Sequence, residues 1–150
     1  MNIVDVLDKE LIKVPLESHG SYEVIEELVG VLEKALSLTA AQKEEIARAV
    51  HVREAMGSTA LGHGVAIPHA KVSAIRKVTM VVGIAAEPIP FGASDGESVS
   101  VFFLVLAPPD ALSSHVEILS SLARSCSSPA LLGQLKKARN ATQVYSIFKD

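Results

Sequence analysis

Two apolar segments, KVTMVVGIA and VSVFFLVLA, constrain the fold of this chain more than any other feature. Both have the length of a single strand, and neither shows the alternation of apolar and polar residues that marks a strand with one solvent-facing side. Strands of this kind need cover on both faces, and helical patterns lie before and after them in the chain. The sequence therefore predicts an α/β fold in which helices cover both faces of one sheet.

The first third of the chain predicts one strand and two helices. LIKVPLE alternates apolar and polar residues, as a half-buried strand does. SYEVIEELVGVLEKALS repeats apolar residues at the spacing of one helix face. The T-x-x-Q pattern from Thr39 to Gln42 is typical of a capping box and predicts the start of a second helix, which Gly57 ends.

The rest of the chain predicts a short strand, the two long strands and then helices. VAIPH has the composition of a short strand, and EPIPFGASDGES between the long segments has that of a turn. Three capping patterns predict helix starts in the last third: an S-x-x-E box from Ser114 to Glu117, a Ser128-Pro129 cap, and a cap from Asn140 to Gln143. No repeat or linker divides the chain, so residues 1–150 are expected to form a single domain.

The composition excludes several classes of protein. A formal net charge of −3 over 150 residues offers no basic surface for nucleic acid. The longest apolar run, Val99 to Ala107, is far too short to cross a bilayer, and MNIVDVLDKE lacks the basic start and apolar stretch of a signal peptide. Cys126 is the only cysteine, so no intrachain disulfide can form. We therefore expect a cytoplasmic protein without direct membrane insertion.

The stretch GSTALGHGVAIPHAKV holds the residues most suited to chemistry, with His69 directly after Pro68. Glycines allow backbone N–H groups to approach a ligand closely, and successive N–H groups form a concavity that binds anions. Ser58 and Thr59 add hydroxyl donors to this loop. A nucleophilic histidine beside such a loop suits phosphoryl transfer, and the alternative is a tight glycine turn with an incidental histidine.

Two residues outside this stretch could support His69. If Ser114 is an N-cap, His115 is the first residue of its helix, where unpaired N–H groups attract an anion; the alternative is a neutral residue facing solvent. Arg53 precedes the glycine loop and offers a planar fork of donors that matches phosphate oxygens. From the residues alone, the helix dipole is sufficient to explain an arginine in this last turn.

Metal and hydrolase chemistry fit the sequence less well. His63 and His69 are six positions apart, which is not the spacing of one helix face, and the lone Cys126 is distant from both. A hydrolase centred on Ser58 would need a G-x-S-x-G pattern, which GST lacks. We therefore expect no metal site.

REAMGSTALGHGVAIPHAKV is similar to the R-E-x-x-G-S-T-x-[IL]-G-N-G-[IV]-A-I-P-H signature of type 2 enzyme IIA domains. These domains belong to the phosphoenolpyruvate-dependent sugar phosphotransferase system, in its fructose/mannitol class with the nitrogen-regulatory branch. IKVPLESHGSYEVIEELVGVLEKA resembles the family's opening strand and helix, and PIPFGASDGESVSVFFLVLAPPDALSSHVEILSSLAR resembles its F-G-A-x-D-G-x-x-V … P-P … H segment. The similarity covers essentially the whole chain.

The resemblance implies a three-layer α/β/α sandwich around a small mixed β-sheet, and a phosphohistidine carrier without a cofactor. It implies that His69 accepts a phosphoryl group from the histidine phosphocarrier HPr and passes it to an enzyme IIB. It further implies that His115 contacts the phosphoryl group and that Arg53 lies on the phosphate side.

The resemblance also implies a phosphate-binding loop that comprises Ser58, Thr59, Gly62, His63 and Gly64. His63 departs from the family, in which asparagine normally stands between the two loop glycines. Because the ring follows a glycine and precedes another, we expect it at the edge of the phosphoryl site or in solvent.

Three roles are open at this point. One is transport, with a fructose- or mannitol-type IIB and IIC on separate chains. Another is regulation, in which the phosphorylation state changes binding to a target protein, and the lack of a IIB, IIC or HPr domain favours it. The third is a protein-interaction module that is not phosphorylated, which the presence of His69, His115 and Arg53 opposes.

Overall fold

The computed structural model describes residues 2–149, which form six strands of one sheet and six α-helices. The strands are β1 (Ile12–Leu16), β2 (Ala60–Gly62), β3 (Val65–Ala66), β4 (His69–Lys71), β5 (Thr79–Ile89) and β6 (Val99–Ala107). The helices are α1 (Ile3–Val6), α2 (Ser21–Leu36), α3 (Ala40–Ala55), α4 (Leu112–Ser125), α5 (Pro129–Lys137) and α6 (Ala141–Lys149), with a short 3₁₀ helix at Lys9–Leu11. None of these helices is both long enough and apolar enough to cross a bilayer.

The strand order is β1-β5-β6-β3-β2, and β4 also pairs with β6. β5 and β6 are antiparallel, whereas β1 runs parallel to β5, and β3 and β4 run parallel to β6. β3 and β4 lie one after the other along the same side of β6, because Val65 pairs with Val101 and His69 pairs with Val105. This register places His69 beside the second half of β6.

Helices cover both faces of the sheet, as predicted. Alternate residues of β6 enter opposite cores: Phe102 and Leu104 pack with residues of α2 and α3, and Phe103 and Val105 pack with residues of α1, α4, α5 and α6. All four side chains are fully buried. Both faces of β6 are enclosed, which explains why its sequence is apolar throughout. The three-layer α/β/α sandwich around a mixed sheet is confirmed.

Three of the predicted helix starts are confirmed by their hydrogen bonds. In each, a side-chain oxygen accepts from the backbone N–H three residues later: Thr39 from Gln42 at 3.1 Å, Ser128 from Leu131 at 3.2 Å, and Asn140 from Gln143 at 2.9 Å. Such a bond satisfies one of the N–H groups that have no partner within the first turn of a helix.

The predicted start of α4 is wrong. The helix begins at Leu112 with Ala111 as its N-cap, so Ser114 is not the N-cap and His115 is not the first helical residue. The His115 amide donates to the Ala111 carbonyl at 3.2 Å and is already within the helical hydrogen-bond pattern. The start is earlier because a turn, closed by the Ala111 amide and the Pro108 carbonyl, follows β6 directly.

Two extended segments also differ from their predictions. VAIPH is not one strand, because β3 ends before Pro68, which has no N–H to continue the ladder, and β4 begins after it. The turn predicted over EPIPFGASDGES is shorter, because β5 continues to Ile89, which pairs with Val99. The register shifts between Ile84 and Ile89, and an irregularity of this kind accommodates Pro88 within a strand.

Candidate functional site

His69 is the first residue of β4, and its ring orientation is fixed by the main chain. Its Nδ1 lies 2.8 Å from the carbonyl oxygen of Ile67. A carbonyl can only accept, so the proton of the neutral ring is on Nδ1, and Nε2 carries the lone pair. Ala70 packs into the core beneath α2 and α3, so His69 and Lys71 lie on the other side of β4, toward α4.

His115 lies next to His69, although it comes from α4. The two ring centroids are 5.6 Å apart with the planes at 69°. Only 5% of His115 is exposed, and its Nε2 has no hydrogen-bond partner among residues 2–149. Burial lowers the pKa of His115, and electrostatic repulsion of its charged form by His69 and Lys71 lowers it further. The site therefore holds a neutral imidazole with a buried nitrogen that a ligand could satisfy.

Lys71 is a residue that the sequence analysis did not select. It lies two positions after His69 in the same strand, so both side chains are on one face of the sheet. Its exposed charge is close enough to act on the pKa of His115. Alternate residues of a strand lie on the same face. Lys71 could therefore have been predicted to lie on the same side as His69, once His69 was known to begin a strand.

Arg53 and Glu54, at the end of α3, hold the loop that leads toward His69. Nη1 of Arg53 donates to the Gly57 carbonyl at 2.9 Å. The Glu54 carboxylate accepts from the amide of Thr59 at 2.9 Å and from its hydroxyl at 2.6 Å. The Thr59 carbonyl in turn accepts from the Ile67 amide at 3.1 Å. Arg53 thus contacts a loop that is bonded to the segment just before His69.

The hydroxyls of Ser58 and Thr59 have partners within the protein. Ser58 Oγ donates to the Phe91 carbonyl at 2.7 Å and accepts from the Ala60 amide at 3.1 Å. Thr59 Oγ1 donates to Glu54, and the side chain is buried. In this arrangement both hydroxyls shape the loop, and neither has a proton left for a phosphate group.

The structure does not bring Gly62, His63 and Gly64 to His69, in contrast to the prediction. All three have positive φ, at 92°, 58° and 82°, and form the tight turn between β2 and β3. The Gly64 carbonyl accepts from the Val101 amide, whereas His69 pairs with Val105. Four residues of a strand span about 13 Å, so the turn and His69 lie at opposite ends of this strip of sheet.

Contacts within the protein explain the conformation of this turn without a ligand. The His63 amide donates to Asp95 at 3.0 Å, and its carbonyl accepts from Lys136 at 2.9 Å. The glycines on either side adopt the left-handed region at no steric cost, and histidine is among the residues that tolerate it. The glycine-rich sequence is therefore accounted for by the hairpin.

The two adjacent histidines suit a site in which His69 is the nucleophile and His115 contacts the group that His69 binds. His69 presents a lone pair at Nε2, and His115 contributes a neutral ring that is shielded from water. Across residues 2–149, no group of three or more histidine, cysteine or acidic side chains is placed to hold a metal ion.

The sequence is similar to proteins of a known family. Residues 5–150 match the family model described as phosphoenolpyruvate-dependent sugar phosphotransferase system, EIIA 2. The nitrogen regulatory protein of Bradyrhizobium diazoefficiens is 32% identical over 147 residues, which cover 98% of this chain and 94% of that protein. The fructose-specific EIIABC component of Bacillus subtilis is 31% identical over all of this chain, which spans 23% of that longer protein.

A solved structure has the same fold, and its sequence identity to this chain is similar to that of these relatives. The crystal structure of the nitrogen regulatory protein IIA-Ntr from Neisseria meningitidis superimposes with a TM-score of 0.87 and 33% identity, covering 97% of this chain and 98% of that one. The family match spans nearly the full length, including α3, β4 and α4, which carry the site. This chain belongs to the EIIA 2 family of the phosphoenolpyruvate-dependent sugar phosphotransferase system.

Proposed function

We propose that Nε2 of His69 accepts a phosphoryl group from an HPr-like phosphocarrier and passes it to an acceptor protein. The observation that carries this proposal is the 2.8 Å bond between Nδ1 of His69 and the Ile67 carbonyl. It leaves Nε2 as the ring nitrogen with the lone pair, and a nucleophile needs that lone pair. Family membership supports the reaction type, which is phosphoryl transfer through phosphohistidine.

The proposed step exchanges one phosphorus–nitrogen bond for another. The lone pair of Nε2 forms the new bond to phosphorus while the bond to the donor's histidine breaks, and the donor ring keeps that electron pair. The Nδ1 proton of His69 stays in its bond to the Ile67 carbonyl. When the phosphoryl group moves on, His69 can therefore leave as a neutral imidazole without taking up a proton.

His115, Arg53 and Lys71 are proposed to stabilise the charge on the phosphoryl oxygens. Phosphoryl transfer depends on positioning and on charges aimed at the three non-bridging oxygens. The buried Nε2 of His115 lies in a ring next to His69, and Lys71 is on the same face of β4 as His69. For Ser58 and Thr59 we propose a role in shaping the loop, and Gly62, His63 and Gly64 are left outside the phosphate site.

An apolar surface next to the histidines supports a protein as the phosphoryl donor. Leu112 and Val116 are one turn apart on α4, 58% and 60% exposed, on either side of the buried His115 in sequence. Exposed apolar side chains that cluster beside a reactive group are typical of docking surfaces. The donor would be HPr-like, and the acceptor an enzyme IIB or a regulatory target protein.

Regulation is the role that the comparisons favour. The nitrogen regulatory relatives from Bradyrhizobium and Neisseria match this chain over more than nine-tenths of their own length. We propose that the phosphorylation state of His69 sets binding to a target protein, with transport through a separate IIB as the second candidate.

Incubation with phosphoenolpyruvate, enzyme I and HPr tests the reaction. We expect one phosphoryl group per chain, labile to acid and stable to base, as detected by intact mass. His69→Ala should abolish the modification, because it removes the nucleophile. His63→Ala is the control and should be phosphorylated like the wild type, because His63 is remote from His69. Phosphorylation that persists in folded His69→Ala would contradict the assignment.

A further inference from the structure

Glu54 is linked to the ring of His69 by an unbroken series of hydrogen bonds. Its carboxylate accepts from the Thr59 amide at 2.9 Å and the Thr59 hydroxyl at 2.6 Å. The Thr59 carbonyl accepts from the Ile67 amide at 3.1 Å, and the Ile67 carbonyl accepts from Nδ1 of His69 at 2.8 Å. Three hydrogen bonds, two from Thr59 to Glu54 and one from Ile67 to Thr59, thus precede the one that sets the position of the His69 proton.

The two bonds to Glu54 tie Thr59 to the end of α3. Both are charge-assisted, which makes them shorter and stronger than bonds between neutral groups. Thr59 is 7% exposed, so water is largely excluded from replacing the carboxylate. Thr59 follows Gly57 by two residues in a loop where glycine permits several backbone conformations. Without Glu54, the peptide of Thr59 has no other partner for its N–H among residues 2–149.

We propose that Glu54 is a positioning residue for phosphoryl transfer. By holding Thr59, whose carbonyl accepts from the Ile67 amide, it holds Ile67 in the position from which the Ile67 carbonyl accepts from Nδ1 of His69. The proton is then kept on Nδ1, and the lone pair is kept on Nε2, where the phosphoryl group bonds. This inference rests on the proposed function, because a fixed lone pair matters only if His69 is a nucleophile.

The alternative is that Glu54 merely stabilises the loop. The position of the proton on the His69 ring distinguishes this role from the positioning role. A neutral histidine in water prefers the tautomer with the proton on Nε2, which blocks that nitrogen as a nucleophile. If Ile67 loses its orientation, His69 should therefore move toward the unreactive tautomer. A role in stability alone would change unfolding but leave the proton on Nδ1.

The test combines ring ¹⁵N NMR of the unphosphorylated protein with the rate of transfer from phosphorylated HPr. Glu54→Ala removes both acceptors of Thr59. Glu54→Gln keeps the shape, since its amide oxygen can accept from the Thr59 amide and its NH₂ can donate to the Thr59 hydroxyl. Glu44→Ala is the matched control, because it removes a carboxylate that bonds to Arg48 on the exposed face of the same helix.

We expect Glu54→Ala to show the Nε2–H tautomer of His69 and to slow transfer on the order of a hundredfold, the effect of a misplaced reacting group. The KM for phosphorylated HPr should be unchanged, and Glu54→Gln and Glu44→Ala should retain the wild-type tautomer and most of the rate. Wild-type tautomer populations in Glu54→Ala would overturn the inference, whether or not the rate falls.

A second pair of variants serves if Glu54→Ala does not fold. Thr59→Val removes the hydroxyl that donates to Glu54 and keeps the size of the side chain, whereas Thr59→Ser keeps the hydroxyl. The valine variant should shift the tautomer and the serine variant should not; an unshifted valine variant would overturn the inference. The tautomer is measured without phosphate, so it decides the role of Glu54 even if the wild type accepts no phosphoryl group.

Discussion

At the scale of a single residue, His115 makes the stability of the folded protein depend on pH. Burial, followed by electrostatic repulsion of its charged form by His69 and Lys71, lowers its pKa in the folded protein. The folded state then binds fewer protons than the unfolded state, so the free energy of unfolding rises with pH between the two pKa values. This contribution is fully present above about 6.5, the ordinary pKa of histidine, and is lost as the pH falls below it.

We expect His115→Gln to remove this part of the pH dependence. The wild type should lose stability below about pH 6.5, by at most about 1.4 kcal/mol per pH unit relative to the variant, which is the limit for one proton. Urea unfolding one pH unit on either side of that value measures the difference. His19→Gln, at an exposed histidine, is the control and should follow the wild type. Parallel curves for wild type and His115→Gln would show that His115 is not held neutral by the fold.

Single residues differ in how far their role could be predicted. His69 stands out because a proline and a glycine-rich signature precede it. The partner that sets its proton, however, is the main-chain carbonyl of Ile67, and a sequence pattern does not indicate where a carbonyl points. The hydroxyls of Ser58 and Thr59 were expected to face a ligand, but they donate hydrogen bonds to the Phe91 carbonyl and to the Glu54 carboxylate. A local sequence pattern does not indicate which tertiary partners compete with a ligand for these hydrogen bonds.

At the scale of elements, two helix ends and one short strand assemble the site. The end of α3 supplies Arg53 and Glu54, β4 supplies His69 and Lys71, and the first turns of α4 supply His115. The start of α3 was predictable because its capping box is local. The start of α4 was not, because it depends on the turn that follows β6, and the S-x-x-E pattern carries no information about that turn.

The exposed side of α4 gives a prediction about docking. Val116→Glu should raise the KM for phosphorylated HPr at least about tenfold while leaving kcat nearly unchanged. The substitution places a charge within an apolar contact but changes neither His69 nor His115. Steady-state transfer kinetics measure both constants. Val4→Glu places the same change on α1, beside Arg124 near the other end of α4, and should behave like the wild type. An unchanged KM in Val116→Glu would exclude this face as the docking surface.

At the scale of the whole molecule, the layer arrangement was predictable and the strand order was not. β6 and the first six residues of β5 are largely apolar on both faces, and such strands require helices on both sides. The order β1-β5-β6-β3-β2 depends on pairings between distant segments, which a local pattern does not specify. Because β3 and β4 follow one another along the same side of β6, the glycine turn and His69 are near each other in sequence but lie about four residues apart along β6.

The atom that carries the phosphoryl group tests the central claim most directly. With the ring of His69 labelled with ¹⁵N, the coupling between phosphorus and nitrogen identifies the bonded atom in the phosphorylated protein. We predict phosphorus on Nε2 of His69, with a proton still on Nδ1 in its bond to the Ile67 carbonyl. Phosphorus on Nδ1 of His69, or on the ring of His63 or His115, would contradict the account.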